Sequence, residues 1–496
     1  MGPLLLLLVS VIGVAPYKFL AVSPRHASSP VNFQARITDV LIEAGHEVVM
    51  LSPAMDSCIG PGTDKARIIE IPQCKEWAEH ESVMNAEGGS VSEMWTKPMG
   101  SIFAANVFDY LYVPSVAQCD AMLAFPGLIE QLRAEQFDAA YAETIDFCAF
   151  GLFHILGIEK FAVTQSLSML DGDYHYTQAA GNPAYVPSEL SGQYTDRMGF
   201  FDRLHNTLTR SWTAYVTEWA PIGMFDVGFK RIDPAFPGIE QILPNASYVF
   251  INSEPLTDFP RPTSSKMIDI GGITVSNGGA PLNETWSYIM DLRPRTVLIS
   301  FGTLAKTYLM PEEYKKTIRE TARKFPDVTF IWKYEKPSHN ISRGIANLVE
   351  STWVPQNDML RDPRLSAFVT HCGQGSTTEA MNAGVPLVVI PIFADQPRNA
   401  YTAERNGMGI VMDKRDLRAP GPLEDALREV LENNKYRKQA AKVARMLSLR
   451  PFSMRETFIR HMEFLAEFGP LRQLNHHGAQ LSFIQYYLID IILFLV

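Results

Sequence analysis

The sequence predicts an α/β protein made of two doubly wound domains that face each other across a cleft, with an apolar segment at each end. Three observations carry this. Strand-like and helix-like stretches alternate in two consecutive series, and such alternation implies parallel sheets covered by helices. The Gly/Pro/Asn cluster Asn277 to Asn283 (NGGAPLN) separates the series and reads as an interdomain linker. A chain of 496 residues is long enough for two large cores, and no short repeat period divides it further.

Composition excludes other classes. Hydrophobic residues are 46% and charged residues 20%, which rules out disorder as the main state. A net charge of −10 argues against a nucleic-acid binder driven by phosphate contacts. The five cysteines (Cys58, Cys74, Cys119, Cys148, Cys372) are odd in number and match no zinc spacing. Cys58 and Cys74 can pair if the chain is lumenal; the alternative is free buried thiols. Asn245, Asn283 and Asn340 open three N-glycosylation sequons, in agreement with a secretory route.

Residues 1–15 hold the apolar run Leu4 to Val14, too short for a bilayer, with Gly13 and Ala15 at cleavage-like positions. A signal peptide is expected there, the alternative being a buried first strand. The first domain is expected over 16–276. Lys18 to Ser23 reads as a strand, and Phe33 to Ala44 as a helix with Phe33, Ile37, Val40 and Leu41 on one face. Gly45 suits its C-terminal cap, and Glu47 to Leu51 is the next strand, which completes a βαβ unit. Phe137 to Tyr141, Phe161 to Thr164 and Tyr248 to Asn252 are further strands, with Leu152 to Leu156 on an intervening helix. Leu170 to Phe236, rich in Tyr, Pro, Gly and Trp with poor periodicity, predicts loops and short helices over a cleft.

The second domain is expected over 284–450. Its strands are Thr296 to Ser300, Val328 to Trp332, Ala367 to Thr370 and Pro386 to Ile390. Its helices are Glu312 to Lys324, Gln374 to Ala383 and Leu423 to Arg445. C-terminal helices follow over 451–480, including Ser453 to Phe468. Leu481 to Val496 is apolar, but as a helix it reaches only about 24 Å. A bilayer core is about 30 Å thick, so a short or truncated membrane anchor is expected, or a helix lying on another surface.

The chemistry concentrates in Phe368 to Gln396, FVTHCGQGSTTEAMNAGVPLVVIPIFADQ. A strand runs into a turn containing His371, Gly373 and Gly375, where the backbone can approach a ligand closely. A helix then begins, and its free N–H groups suit a phosphate. His371 and Ser376 add side-chain hydrogen bonds, and Glu379 on the first turns can accept from a ribose diol. Asp395 and Gln396, after the next strand, form an acid–amide pair suited to sugar hydroxyls.

This block resembles the signature of the UDP-glycosyltransferases, the family of the animal UDP-glucuronosyltransferases and the plant small-molecule glycosyltransferases. The resemblance extends to W-V-P-Q at Trp353 to Gln356, S-F-G-T at Ser300 to Thr303 and A-G-H-E-V at Ala44 to Val48. It covers nearly the whole chain, and the wording G-Q-G-S-T-T-E with A-D-Q-P-R-N-A is most similar to nematode members. It implies a GT-B fold of two Rossmann-like domains, the first for the acceptor and the second for the UDP-sugar. Trp353 would stack on uracil and Gln356 would bind the nucleoside. Ser300, Gly302 and Thr303 would face the phosphates, together with the turn of Gly373, Gly375 and Ser376. His371 would hold the pyrophosphate, Glu379 the ribose, and Asp395 and Gln396 the sugar. Gly375 departs from the pattern, since many members carry Asn there. Cys372, where animal members often have Gly, reads as structural.

Transfer to a hydroxyl needs a base as the acceptor attacks the anomeric carbon, and in-line displacement inverts that carbon. The family's base is a His sixteen positions before the His of the A-G-H element, and that count falls on Pro30. Proline cannot take a proton, although it suits the first turn of a helix. His26, four residues upstream, is the candidate substitute, or an ordinary surface histidine. The family's orienting acid maps through Phe137 to Glu143 onto Glu143, with Asp146 as the nearby alternative. Glu143 can also serve alone as base on a phenol or acid acceptor.

The resemblance implies metal-independent transfer of glucose or glucuronate to a small lipophilic hydroxyl acceptor. The UDP-sugar is a co-substrate, no other cofactor is expected, and no D-x-D sequence sits suitably for a metal. A glucuronate site wants a cation nearby, for which Arg25 and Arg398 are the candidates; the nematode-like wording tilts toward glucose. The expected setting is the endoplasmic reticulum membrane, single-pass with lumenal catalytic domains, alone or with paralogues. The alternative is a weakened or inactive member that binds UDP-sugar or hydrophobic ligands.

Overall fold

The computed structural model describes residues 16–84, 89–97, 111–179, 181–190, 194–275 and 281–495. The expected leader over 1–15 and most of the expected linker lie outside them. Two sheets carry the fold. The first has seven strands: β1 (Lys18–Val22), β2 (Glu47–Pro53), β3 (Arg67–Ile71), β4 (Ala139–Glu143), β5 (Phe161–Gln165), β6 (Tyr248–Ile251) and β7 (Met267–Asp269). Their order is β3-β2-β1-β4-β5-β6-β7, and every pairing is parallel. The second has β8 (Arg295–Ser300), β9 (Val328–Lys333), β10 (Leu348–Ser351), β11 (Leu365–Thr370), β12 (Leu387–Val389) and β13 (Gly409–Val411). It is ordered β10-β9-β8-β11-β12-β13, again all parallel.

These strands form because apolar runs such as FAVTQ and TVLIS are covered by helices on both faces. All five residues of β4 and of β5 are buried, as are the last five of β8. The strand order reverses between β1 and β4 and again between β8 and β11. In open α/β sheets ligands bind beyond the carboxyl ends at such points. The ends of β4 (Glu143), β8 (Ser300) and β11 (Thr370) therefore mark the site.

The first helix, Ser28–Glu43, starts five residues earlier than its periodicity predicts. Pro30 lies in its first turn, where no backbone N–H is needed. The helix predicted over Leu423 to Arg445 is two, Pro420–Glu432 and Asn434–Ser448. They break at Asn433, whose side chain caps the second by accepting from the Lys435 N–H. Of the two alternatives for Cys58 and Cys74, paired or free, the structure has them free. The disulfide joins Cys119 to Cys148 within the first core, and Cys58, Cys74 and Cys372 are free.

Leu170 to Phe236 also departs from expectation. It contains one long helical run, Phe200–Ala214, a π-helical turn at Tyr215–Trp219 and Ala220–Ile232. The π turn shifts the register, and Pro221, Gly223 and Gly228 interrupt the composition, so no single period spans the run.

The helix Met454–Phe468 returns to the first domain, where Phe458, Met462 and Leu465 pack with Phe19, Met50 and Phe250. At the C-terminus short helices span Phe483–Tyr486 and Ile489–Leu495. Among the described residues, no helix is long and apolar enough to cross a membrane.

Candidate functional site

The candidate donor site of the second domain starts at the end of β11. The helix Gln374–Ala383 begins there with Gly373 as its N-cap. The Gln374 N–H is taken by the Asp395 carboxylate at 3.0 Å. The Gly375 and Ser376 N–H groups precede the first intrahelical acceptor and face outward from the helix start. Nothing lies within 4 Å of where a Gly375 Cβ would stand, so the missing asparagine leaves open space.

His371 sits beneath this turn, fully enclosed. Burial, aided by the Lys333 charge, pushes its pKa down to about 3, so the ring is neutral, and Nδ1 has no hydrogen-bond partner. Its Nε2 would lie 2.6 Å from a Cβ on Gly302 and 2.8 Å from one on Gly373. Gly302 also has φ +78°. Glycine is needed at both positions for the imidazole to occupy its place. Ser300 is buried at the end of β8 and Thr303 is exposed in the turn that follows.

On the nucleoside side, the Gln356 amide donates to Glu379 Oε2 at 2.7 Å and to Ser376 Oγ at 3.1 Å. Burial raises the Glu379 pKa. Trp353 is 65% exposed, so its indole face is free to take a planar base, and its carbonyl is held by the Ser351 hydroxyl at 2.6 Å. At the sugar end, burial raises Asp395 to about 6 while it accepts from Gln374 N–H and from Asn399 Nδ2 at 2.6 Å. Gln396 accepts with its amide oxygen from the Ile392 and Phe393 N–H groups, which leaves its amide nitrogen for a ligand. The donor-side residues from Ser300 to Gln396 lie at the carboxyl ends of β8, β10, β11 and β12 and on the helices that follow, and Asp395 and Gln396 also brace the surrounding loops.

The acceptor side differs more. Glu143 ends β4, buried, and its Oε1 accepts from both the N–H (2.8 Å) and the hydroxyl (2.5 Å) of Ser166. Its other oxygen has no partner. Burial outweighs the Ser166 hydrogen bonds and raises its pKa to about 7. Asp146 is likewise raised to about 7 by burial, and accepts from the Cys148 N–H. His26 follows β1 on the loop before the first helix. Its ring nitrogens are sealed from solvent, neither makes a well-formed hydrogen bond, and burial lowers its pKa to about 4. Among the described residues, no hydrogen bond or ion pair joins it to Glu143 or Asp146.

Three features were not legible in the motif. Lys333 ends β9 beside the S-F-G-T turn, and its ammonium donates to the Gly302 carbonyl at 2.5 Å. It is a half-buried cation whose pKa burial lowers, next to the expected phosphates. Its one signal was position: a lysine directly after an apolar strand. Gln374 bridges the domains by donating to the Asn252 carbonyl, and Asn252 Nδ2 donates to the Ser166 carbonyl at 2.8 Å. Arg398, the candidate cation for a glucuronate, is buried between Glu189 (3.0 Å) and Asp258 (2.8 Å) of the first domain. Arg25, the other candidate, pairs with Glu70 at 3.1 Å.

The profile of the family described as UDP-glucoronosyl and UDP-glucosyl transferase matches residues 18–496. The UDP-glucuronosyltransferase relative ugt-48 of Caenorhabditis elegans is 30% identical over 497 residues, covering 96% of this chain and 91% of its own. UDP-glucuronosyltransferase 1A7 of Mus musculus is 26% identical, covering 100% of this chain and 91% of its own. The crystal structure of Os79 from O. sativa, in complex with U2F and trichothecene, superposes with a TM-score of 0.59 at 18% identity. It covers 90% of this chain and 100% of that one, and it shares the GT-B arrangement of two parallel sheets. With that profile running from Lys18 to Val496 over a fold whose second domain carries His371, Glu379 and an exposed Trp353, the chain belongs to the UDP-glucuronosyl and UDP-glucosyl transferase family and is a glycosyltransferase.

Proposed function

We propose that the protein moves a hexose, glucose or glucuronate, from UDP to a hydroxyl of a small lipophilic acceptor, without a metal and with inversion. The observation that carries this reading is the helix start at Gly375 and Ser376, flanked by neutral His371 and the Lys333 ammonium. Fixed donors and one cation stabilise the charge that develops on the departing UDP. Trp353 and Glu379 hold the uridine, and Asp395 with Gln396 address the sugar. The pairing of Arg398 and Arg25 with carboxylates favours glucose over glucuronate as the donor sugar.

Glu143 is the group we assign as general base, in place of the histidine that Pro30 replaces. A pKa near 7 and an unpartnered oxygen suit that work. The disulfide between Cys119 and Cys148 supports a lumenal, oxidising setting with the membrane as a neighbour. A second reading, a weakened or non-catalytic member acting with paralogues, is favoured by Pro30 together with the sealed ring of His26. The deciding experiment measures UDP release from UDP-glucose, UDP-glucuronate and UDP-N-acetylglucosamine against mixed phenols and sterols. Turnover with one donor supports the transferase reading. UDP binding without turnover supports the second.

A further inference from the structure

Trp95 belongs to the first domain by sequence and to the second by packing. Its segment lies between the helices Lys75–Met84 and Val113–Leu123, which pack on each other within the first domain. Yet the Trp95 side chain is 0% exposed and belongs to the core cluster of the second domain that holds Phe301, Met310 and Tyr334. The indole N–H donates to the Lys306 carbonyl at 3.1 Å. Its ring meets Phe301 edge to face, with centroids 5.3 Å apart and planes at 78°. A buried tryptophan needs an acceptor for its N–H and partners for its ring, and here the other domain supplies both.

The turn that Trp95 meets is the one assigned above to the phosphates. Phe301 stands between Ser300 and Gly302, and Gly302 leaves His371 its place only because it lacks a Cβ. The segment is also held at a second point. Lys414, itself buried, donates to the Met94 carbonyl at 2.6 Å and to the Ile392 carbonyl at 2.9 Å. Ile392 in turn gives its N–H to Gln396. One ammonium therefore ties the segment to the loop that carries Asp395 and Gln396. Both anchors fall on loops of the candidate donor site.

We propose that Trp95 is a positioning residue for the phosphates of the sugar nucleotide, reaching out of the first domain to set the Phe301–Gly302 turn of the second. This rests on the donor-site reading given above. Trp95 is sealed from solvent and touches no ligand. It acts through Phe301: with the indole in place the turn cannot slide, and Gly302 keeps the clearance that His371 needs. The nucleoside residues Trp353, Gln356 and Glu379 stand elsewhere, after β10 and on the helices Gln356–Arg361 and Gln374–Ala383. Loss of Trp95 is therefore felt by the phosphates and not by the uridine.

The test titrates the full chain with UDP and with uridine in a calorimeter. Trp95→Leu is expected to weaken UDP by about tenfold and to leave uridine within about twofold. Trp95→Phe keeps an aromatic ring against Phe301 and is expected to bring UDP back to within about threefold of the natural chain. Lys414→Met frees Met94 with the indole still present, and is expected to weaken UDP several-fold with uridine unchanged. The melting temperature falls in Trp95→Leu as for any large core side chain cut down, so the ratio of UDP to uridine affinity decides. Should Trp95→Leu not fold, the same ratio in Lys414→Met decides. Unchanged UDP affinity, or equal loss of UDP and uridine, overturns the proposal, as does a Trp95→Phe chain no better than Trp95→Leu. A natural chain that binds no UDP overturns the donor-site reading itself, and this proposal with it.

Discussion

The side-chain amide of Gln374 donates to the main-chain carbonyl of Asn252, so the first residue of the helix Gln374–Ala383 is tied to the opposite domain. Asn252 in turn holds the Ser166 carbonyl, and Ser166 donates twice to Glu143. The bond therefore sets the spacing between the donor surface and the candidate base. Gln374→Ala is expected to lower kcat about three- to tenfold, the scale of one hydrogen bond. UDP affinity is expected to change little, because the backbone N–H groups remain. Steady-state kinetics beside calorimetric UDP titration check the split.

The close approach of His371 to Gly302 gives a second test. Gly302→Ala places a methyl group 2.6 Å from Nε2 at a φ of +78°, so the imidazole has to move. UDP affinity is expected to fall at least about tenfold, through lost pyrophosphate contact and backbone strain. In a His371→Ala background the same change is expected to cost less, because only the strain remains. A double-mutant cycle on UDP binding reads the coupling.

Glu143 as base predicts a pH profile. The carboxylate is the active form, so kcat/KM is expected to rise with pH through about 7 and then level. Glu143→Gln is expected to lower the rate by about 10²–10⁴-fold and to flatten the rise. Pro30→His is expected to raise transfer with UDP affinity unchanged. A Glu143→Gln variant as fast as the natural chain would remove the carboxylate from the mechanism.

Charge at the phosphates can be tuned from two sides. Lys333→Met removes the cation beside the Gly302 turn and is expected to weaken UDP by about tenfold, the scale of one hydrogen bond to a charged group. Gly375→Asn fills open space with an amide donor and is expected to tighten UDP several-fold. Uridine, which lacks phosphates, is expected to respond to neither change.

Asp146 offers a linkage test. Its folded pKa of about 7 lies above the ordinary aspartate value of 3.8, so the folded chain binds the extra proton. That contribution to stability is present below about pH 4 and is lost as pH rises to about 7. Asp146→Asn is expected to lose on the order of 2 kcal/mol less stability than the natural chain between pH 5 and pH 8. Denaturant unfolding at the two pH values checks it.

The central strands and the nucleotide surface were legible because their residues carry local signals. Long apolar runs mark β1, β4, β5, β8 and β11, and a Gly turn followed by a polar helix start marks His371 to Glu379. The edge strands β3, β7, β10 and β13 were not legible. RIIEI is half exposed, and MID and GIV are three residues each, so neighbouring strands rather than their own pattern hold them extended. Long-range pairs were illegible for a related reason. Nothing in their spacing announces that Cys119 meets Cys148 across the first core, or that Arg398 meets Glu189 and Asp258 of the other domain. The Phe200 to Trp219 helix was hidden because its burial is reversed, and polar side chains are not read as an inward face.

The helix Met454–Phe468 carries a consequence for biosynthesis. Phe458, Met462 and Leu465 cover the face of the first sheet that Phe19 and Phe250 present, yet they leave the ribosome only after the whole second sheet has been made. The amino-terminal half must therefore wait, with an oily flank uncovered, until the second domain has been synthesised. A fragment ending before Met454 keeps the proposed donor-site residues Ser300 to Gln396 and still leaves that flank bare, open to chaperones and to aggregation.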